Sequence, residues 1–200
     1  MNGNDLTLIL INNTSQAGSF SVSQSENGMA WLQKSAVPTT HISFNWNDQD
    51  YGFAWQETQT GHIQASQYWP ADLNKTNQVT LKKTSDGYTF ANQVAGTPPG
   101  TLIINLDPSV VSHEFAAGIG MAGAPFILVS ANPSDLLTFP TQPMYWVVFS
   151  YSQTTTNMTA TVSTNPEQII FPTGVTSMTA ILNKDMTWTI ITTPSEQQSA

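Results

Sequence analysis

Cysteine and arginine are both absent from these 200 residues, and charge of either sign is scarce. The missing cysteine excludes disulfide scaffolds, thiolate nucleophiles and cysteine-ligated zinc or iron–sulfur sites. It leaves the redox compartment open, because a chain without thiols is at home in either. The missing arginine removes the planar fork that reads phosphates and base edges. With five lysines against thirteen acids, a net charge of −8 and a pI near 4.4, nucleic acid and anionic membrane surfaces are poor partners. Charged residues make up only 9% of the chain, against about 25% in ordinary domains. The surface must therefore be Thr, Ser, Asn and Gln, which sets up little repulsion between copies.

Long apolar runs are missing too. The first stretch, MNGNDLTLILINNTSQ, has no basic start, and its apolar part covers only Leu6 to Ile11. That is too short for a secretory signal or a membrane span and reads as a first strand. Cytoplasmic residence is the default expectation, with leaderless export left open. The sequons at Asn12, Asn13, Asn74 and Asn157 are expected from chance in a chain rich in Asn and Thr.

What is present is period-two alternation. LTLILI, HISFNWN, YGFAWQE, QVTLKK, GYTFAN, TLIINL, YWVVFSY, MTATVS, MTAILN and MTWTII all have strand length and strand chemistry. Asn47-Asp48-Gln49-Asp50, Ser85-Asp86-Gly87 and Asn183-Lys184-Asp185 supply turns between them, the first as the tip of an aromatic hairpin over 42–55. Asp107-Pro108 and Asn132-Pro133-Ser134-Asp135 each have the chemistry for one helical turn, and Gly28–Ser35 is undecided between helix and strand. The expectation is one all-β domain over 1–200, an antiparallel two-sheet β-sandwich with a few short helical turns. MTATV (158–162) echoes MTAIL (178–182), and TLKKTSDGYTF echoes AILNKDMTWTI, which two neighbouring hairpins would explain. With no fixed period, a solenoid or propeller is not expected.

Few residue patterns carry chemistry. Phe44, Trp46, Tyr51, Phe53 and Trp55 fit a sheet's inner wall, since their alternate neighbours are polar or small. Asp48 and Asp50 are too few to hold calcium and read as a turn. His41, His62 and His113 show no helical metal spacing. Gly118 to Gly123 lacks the helix and Lys of a phosphate loop, so close strand packing or a bulge explains it better. There is no nucleophile elbow and no metalloprotease motif, and nothing in the sequence brings Glu57 to Glu114 for glycoside chemistry. No catalytic residue, cofactor or metal is expected. The candidate ligand or interface residues are Trp31, Tyr68, Trp69, Tyr145 and Trp146. Trp69, held before Pro70, reads equally as a recognition aromatic or as a plug for the core. Lys82-Lys83 reads as a guard against edge pairing.

The runs AWLQKSAVPTTHISFNWNDQDYGFAWQET, ASQYWPADL, YTFANQVAGTPPGTLII, GIGMAG, MYWVVF, NPEQIIFP and SMTAILNKDMTWT resemble the rhizosphere-induced protein RhiA family across residues 29 to 190. The resemblance implies a bacterial, soluble, abundantly made protein of a host-associated or cell-density-controlled setting. It supplies no catalytic residues. Two functions follow as expectations: a non-catalytic protein that associates with itself or another protein, or a carbohydrate-binding module using exposed Trp and Tyr. An enzyme of unfamiliar design is the third.

Overall fold

The computed structural model describes residues 3–26, 29–59, 62–141, 144–154 and 159–192. Gly28, Asn157 and Met158 lie outside them, and nothing is described of the His62 side chain. The first eight strands are β1 (Asp5–Asn12), β2 (Gly18–Ser23), β3 (Leu32–Ala36), β4 (Thr40–Asn47), β5 (Tyr51–Gln59), β6 (His62–Pro70), β7 (Gln78–Thr84) and β8 (Gly87–Val94). Then come β9 (Thr101–Leu106), β10 (Phe115–Met121), β11 (Ala124–Val129), β12 (Leu136–Pro140), β13 (Tyr145–Thr154) and β14 (Thr159–Ser163). The last are β15 (Glu167–Ile169), β16 (Ser177–Leu182) and β17 (Trp188–Thr192).

The all-β expectation holds, but the simple two-sheet sandwich does not. The strands form four sheets. They fall into two compact units, one of residues 48–142 with the first three residues, the other of 4–47 and 143–200. The continuous unit holds the sheets β11-β10-β5-β6 and β12-β9-β7-β8, and the split unit holds β17-β16-β1-β4 and β14-β13-β2-β3 with β15 beside β13. Each unit also contains a parallel pair, β7 with β9 and β1 with β16, which alternation alone cannot foresee.

The decisive departure is at Asn47–Asp50. These residues do not close a hairpin: β4 pairs with β1, whereas β5 pairs with β10 and β6. The polar stretch carries the chain from one unit to the other. Both aromatic stripes are nevertheless buried, with Phe44 and Trp46 in the split unit and Tyr51, Phe53 and Trp55 in the continuous one. Each fully buried ring of this kind contributes about 1.5–3 kcal/mol over exposure.

No helical turn forms among the described residues. Asp107 and Asn132 begin β-turns instead, with Val110 N donating to Asp107 O at 3.1 Å and Asp135 N to Asn132 O at 3.2 Å. The carboxylates of Asp107 and Asp135 are used locally, Asp107 accepting from Ser109 N and Asp135 from Asn132 N. Residues 32–35 of the undecided GMAWLQKS stretch are strand, part of β3. Ser85-Asp86 and the Asn183–Thr187 loop join paired strands, β7 to β8 and β16 to β17. β14 and β16, which carry the MTATV and MTAIL echo, belong to different sheets.

Gly118 and Gly120 lie in β10 beside a register shift against β11. A Cβ on either would run into the backbone carbonyl of Ile127 or Ala124. Ala122 and Gly123 then make the reversal with φ of 51° and 81°. The glycine run therefore serves close strand packing.

Candidate functional site

The candidate aromatics fall into different environments. Trp31 and Tyr145 are buried in the split unit, where they stack at 6.3 Å and pack with Trp46 at 5.4 and 4.9 Å. Phe171 closes this cluster from 5.9 Å over Trp46. Trp146, also of the split unit, is half-buried. Tyr68 and Trp69 belong to the continuous unit and are half-buried. Trp69 packs on Phe90 at 6.1 Å, so it is part of that unit's core margin. Tyr68 covers Gly52, and its hydroxyl donates to Asp50 O at 3.3 Å. Burial, with the Asp50 carboxylate adding to it, pushes the Tyr68 phenol up to about 12, against a lowering contribution from the Gly123 backbone. Trp55, although buried, is satisfied: its Nε1 donates to Gln67 Oε1 at 3.0 Å.

One cluster of charge stands out in the continuous unit. Lys83 donates to Glu114 at 2.5 Å, and the Tyr88 hydroxyl donates to the same carboxylate oxygen at 2.9 Å. The two bonds hold the Glu114 carboxyl below its ordinary value, and Glu114 in turn raises the Lys83 ammonium. Glu57 faces Phe115 across the β5–β10 ladder, so the fold does bring it near Glu114. Glu114 is nonetheless occupied as an ion-pair partner on an open surface, a setting that does not raise a carboxyl for acid catalysis. Among the described residues, no three His, Asp or Glu side chains converge as metal ligands. No helix is long and apolar enough to cross a membrane.

A groove of about 720 Å³ lies in the split unit. Its floor is the outer face of the β3-β2-β13-β14 sheet, where Ser35, Ser19, Ser150 and Ser163 stand in register across four strands. Ser150 and Ser163 share a hydrogen bond of 2.7 Å. The groove takes in Ser35, Ser19 and Ser150 of this row and Thr161 on β14, with Gln33, Thr40, exposed His41 and half-buried Tyr151. Tyr151 is braced from behind by Phe149, stacked at 6.0 Å. Gly18 permits this packing, since a Cβ there would strike the Phe149 ring and Ser150 O. The lining offers hydroxyl and amide groups, the His41 and Tyr151 rings and apolar side chains such as Val37 and Ile42, and no carboxylate or ammonium. Sequence reasoning missed it, because Ser and Thr at alternate strand positions look the same whether they border a groove or plain solvent.

A second feature concerns sheet edges. The terminal strands of the four sheets are β17, β4, β11, β6, β12, β8, β14 and β3. Among the described residues, Lys34 on β3 is the one Asp, Glu or Lys on these eight strands, and the short β15, which pairs only with β13, adds Glu167. Lys34 itself is turned in, donating to Ser43 O at 2.6 Å and lying 5.2 Å from the Phe44 ring centre. Lys82 and Lys83, expected to guard an edge, lie on β7, between β8 and β9 in the interior of a sheet. The exposed large apolar side chains include Ile127 and Val129 on β11, Leu136 on β12, Val94 on β8 and Ile191 on β17.

Comparison with known proteins agrees with the resemblance seen in the residues. Protein RhiA of Rhizobium leguminosarum bv. viciae is 28% identical over 155 residues. The match takes in 74% of this chain and 66% of that relative, so the chain spans just under two thirds of the relative's length. No solved structure matches. The RhiA family model matches residues 3–193, nearly the whole chain, and the chain belongs to the RhiA family.

Proposed function

We propose that this RhiA-family chain works without catalysis, by associating with copies of itself through the edges of its sheets. The observation that carries the reading is the scarcity of charge on the edge strands, where Lys34 on β3 and Glu167 on β15 stand alone among the described residues. An edge strand presents unpaired N–H and C=O groups, and proteins that stay apart blunt such edges with lysines or inward charges. Here the only edge lysine is turned onto its own unit, and Ile127 and Val129 stand outward on β11. A chain with so little charge has weak repulsion to oppose the contact. The test is the native mass of the purified protein over a wide concentration range. Growth of mass with concentration supports association; a monomer throughout contradicts it.

The groove favours a second reading, a neutral glycan as ligand. Its serines, threonines and Gln33 match the hydrogen-bonding groups of a sugar, and Tyr151 offers a ring to stack on. The tryptophan platform expected for a carbohydrate module is absent: Trp31, Trp46 and Trp55 are buried, and Trp69 and Trp146 half-buried. A glycan array probed with the protein and with Tyr151→Ala tests this reading. Binding lost in the variant supports it, and no glycan bound by the parent protein contradicts it.

A further inference from the structure

The two units share one strand diagram. In the continuous unit the sheets run β12-β9-β7-β8 and β11-β10-β5-β6; in the split unit they run β4-β1-β16-β17 and β3-β2-β13-β14. The central pair of the first sheet is parallel in both units, and every other pair is antiparallel. So β1–β4 correspond to β9–β12, and β13, β14, β16 and β17 correspond to β5–β8, with β15 an addition.

The correspondence extends to single bonds. Thr7 N donates to Thr176 O at 2.8 Å where Ile103 N donates to Asn77 O at 2.8 Å, each opening a parallel pair. Asn13 N donates to Leu182 O at 2.9 Å where Asp107 N donates to Leu81 O at 2.9 Å, each closing one. Thr39 and Ser134 sit at φ 61° and 67° before β4 and β12, and donate to the last carbonyls of β1 and β9. Trp31 meets Tyr145 at 6.3 Å as Phe126 meets Tyr51 at 6.4 Å. Six strand pairings, three pairs of loop hydrogen bonds and a ring pair recurring together are more than shared all-β geometry supplies.

The chain is thus two tandem repeats, β1–β8 and β9–β17, each made of two four-strand halves. Neither repeat closes on itself. The second half of the first repeat pairs with the first half of the second, and the outer halves pair across almost the whole sequence, as in Leu8 with Met178. During synthesis, β1–β4 exists long before its partner strands, with the apolar sides of Leu8, Leu10, Phe20 and Phe44 waiting for them. Nothing covalent ties the outer halves together, since the chain has no cysteine. Only Asp48–Asp50 separate β4 from β5, and short connectors of this kind favour exchange of elements between copies.

Resting on the self-association reading, we infer that copies of this chain join through a second surface besides their sheet edges, the inside of the split unit. The β1–β4 half of one copy completes the β13–β17 half of another, through the same ladders that close the unit within one chain. Such an exchange makes closed pairs or open chains of copies according to whether the halves are returned.

The absence of natural cysteine allows a direct test in the full-length protein. Ser19 and Ser150 face each other across the β2–β13 ladder on the solvent side of the sheet. One tagged chain carries Ser19→Cys and a differently tagged chain carries Ser150→Cys; they are co-expressed, oxidised, and read by native mass and by mass of the disulfide-linked species. A chain with both substitutions checks that the pair closes. Associated particles containing the mixed-tag disulfide are the expected result. Associated particles without it, while the double variant closes within one chain, overturn exchange but leave edge association standing. A monomer with no mixed disulfide overturns both.

Discussion

At the residue scale, the molecule's few polar commitments are local and testable. Tyr68 has its phenol raised to about 12 from an ordinary 10.0. A raised folded value means the neutral form is favoured, so the contribution to stability is complete below pH 10 and is lost as pH climbs toward 12. Phenolate absorbance should show a late-titrating fraction that shrinks in Tyr68→Phe without vanishing, since burial raises Tyr88 too; a high-pH titration unchanged by the substitution would contradict this. The Glu114 carboxyl has the opposite sign: held low by Lys83 and Tyr88, it favours the fold above its unfolded value and loses that effect as acid protonates it. Gly118 is a packing residue. Gly118→Ala drives a methyl into the Ile127 carbonyl and should cost about 1–3 kcal/mol in a urea titration. An unchanged midpoint would show that β11 can shift away freely.

At the scale of elements, the strands were legible and their partners were not. The alternation in LTLILI or GYTFAN shows which side chains face inward, because the pleat has a period of two. The Ser85-Asp86-Gly87 reversal was legible too, because its chemistry and its two-residue length agree. Asn47–Asp50 has the same polar chemistry but leads to a crossover. The difference lies in which distant strand, β1 or β10, covers each side, and neither is encoded nearby. The TLKKTSDGYTF and AILNKDMTWTI echo was a real trace of equivalence between units, visible only where two hairpins kept their turn residues. That comparison yields a prediction. Met186, in the second of these two turns, sits at φ 64°, a left-handed position that burdens a side chain. Met186→Gly should stabilise by up to about 1 kcal/mol, seen as a raised urea midpoint. A lowered midpoint would mean that the half-buried methionine's packing outweighs its backbone strain. Of the candidate surface, only the aromatic residues stood out in the sequence; the serine row and the charge-poor edges depend on register, which is fixed by tertiary pairing.

At the scale of the whole molecule, charge scarcity and strand edges point the same way. Residues exposed on an edge can be altered with little effect on the fold, so assembly and stability are separable. Ile127→Lys with Val129→Lys places two charges on β11, where both side chains already face solvent. The variant should unfold within about 0.5 kcal/mol of the parent while its tendency to associate falls. Loss of stability with unchanged association would show that β11 is not an exposed edge of this kind.

The central claim is that copies of this chain bind one another, and light scattering with particle imaging on the same samples, from dilute to concentrated protein, tests it most directly. The expected mass rises with concentration and falls back in the β11 lysine variant. A parent protein that keeps the mass of one 21.7 kDa chain at every concentration would contradict it.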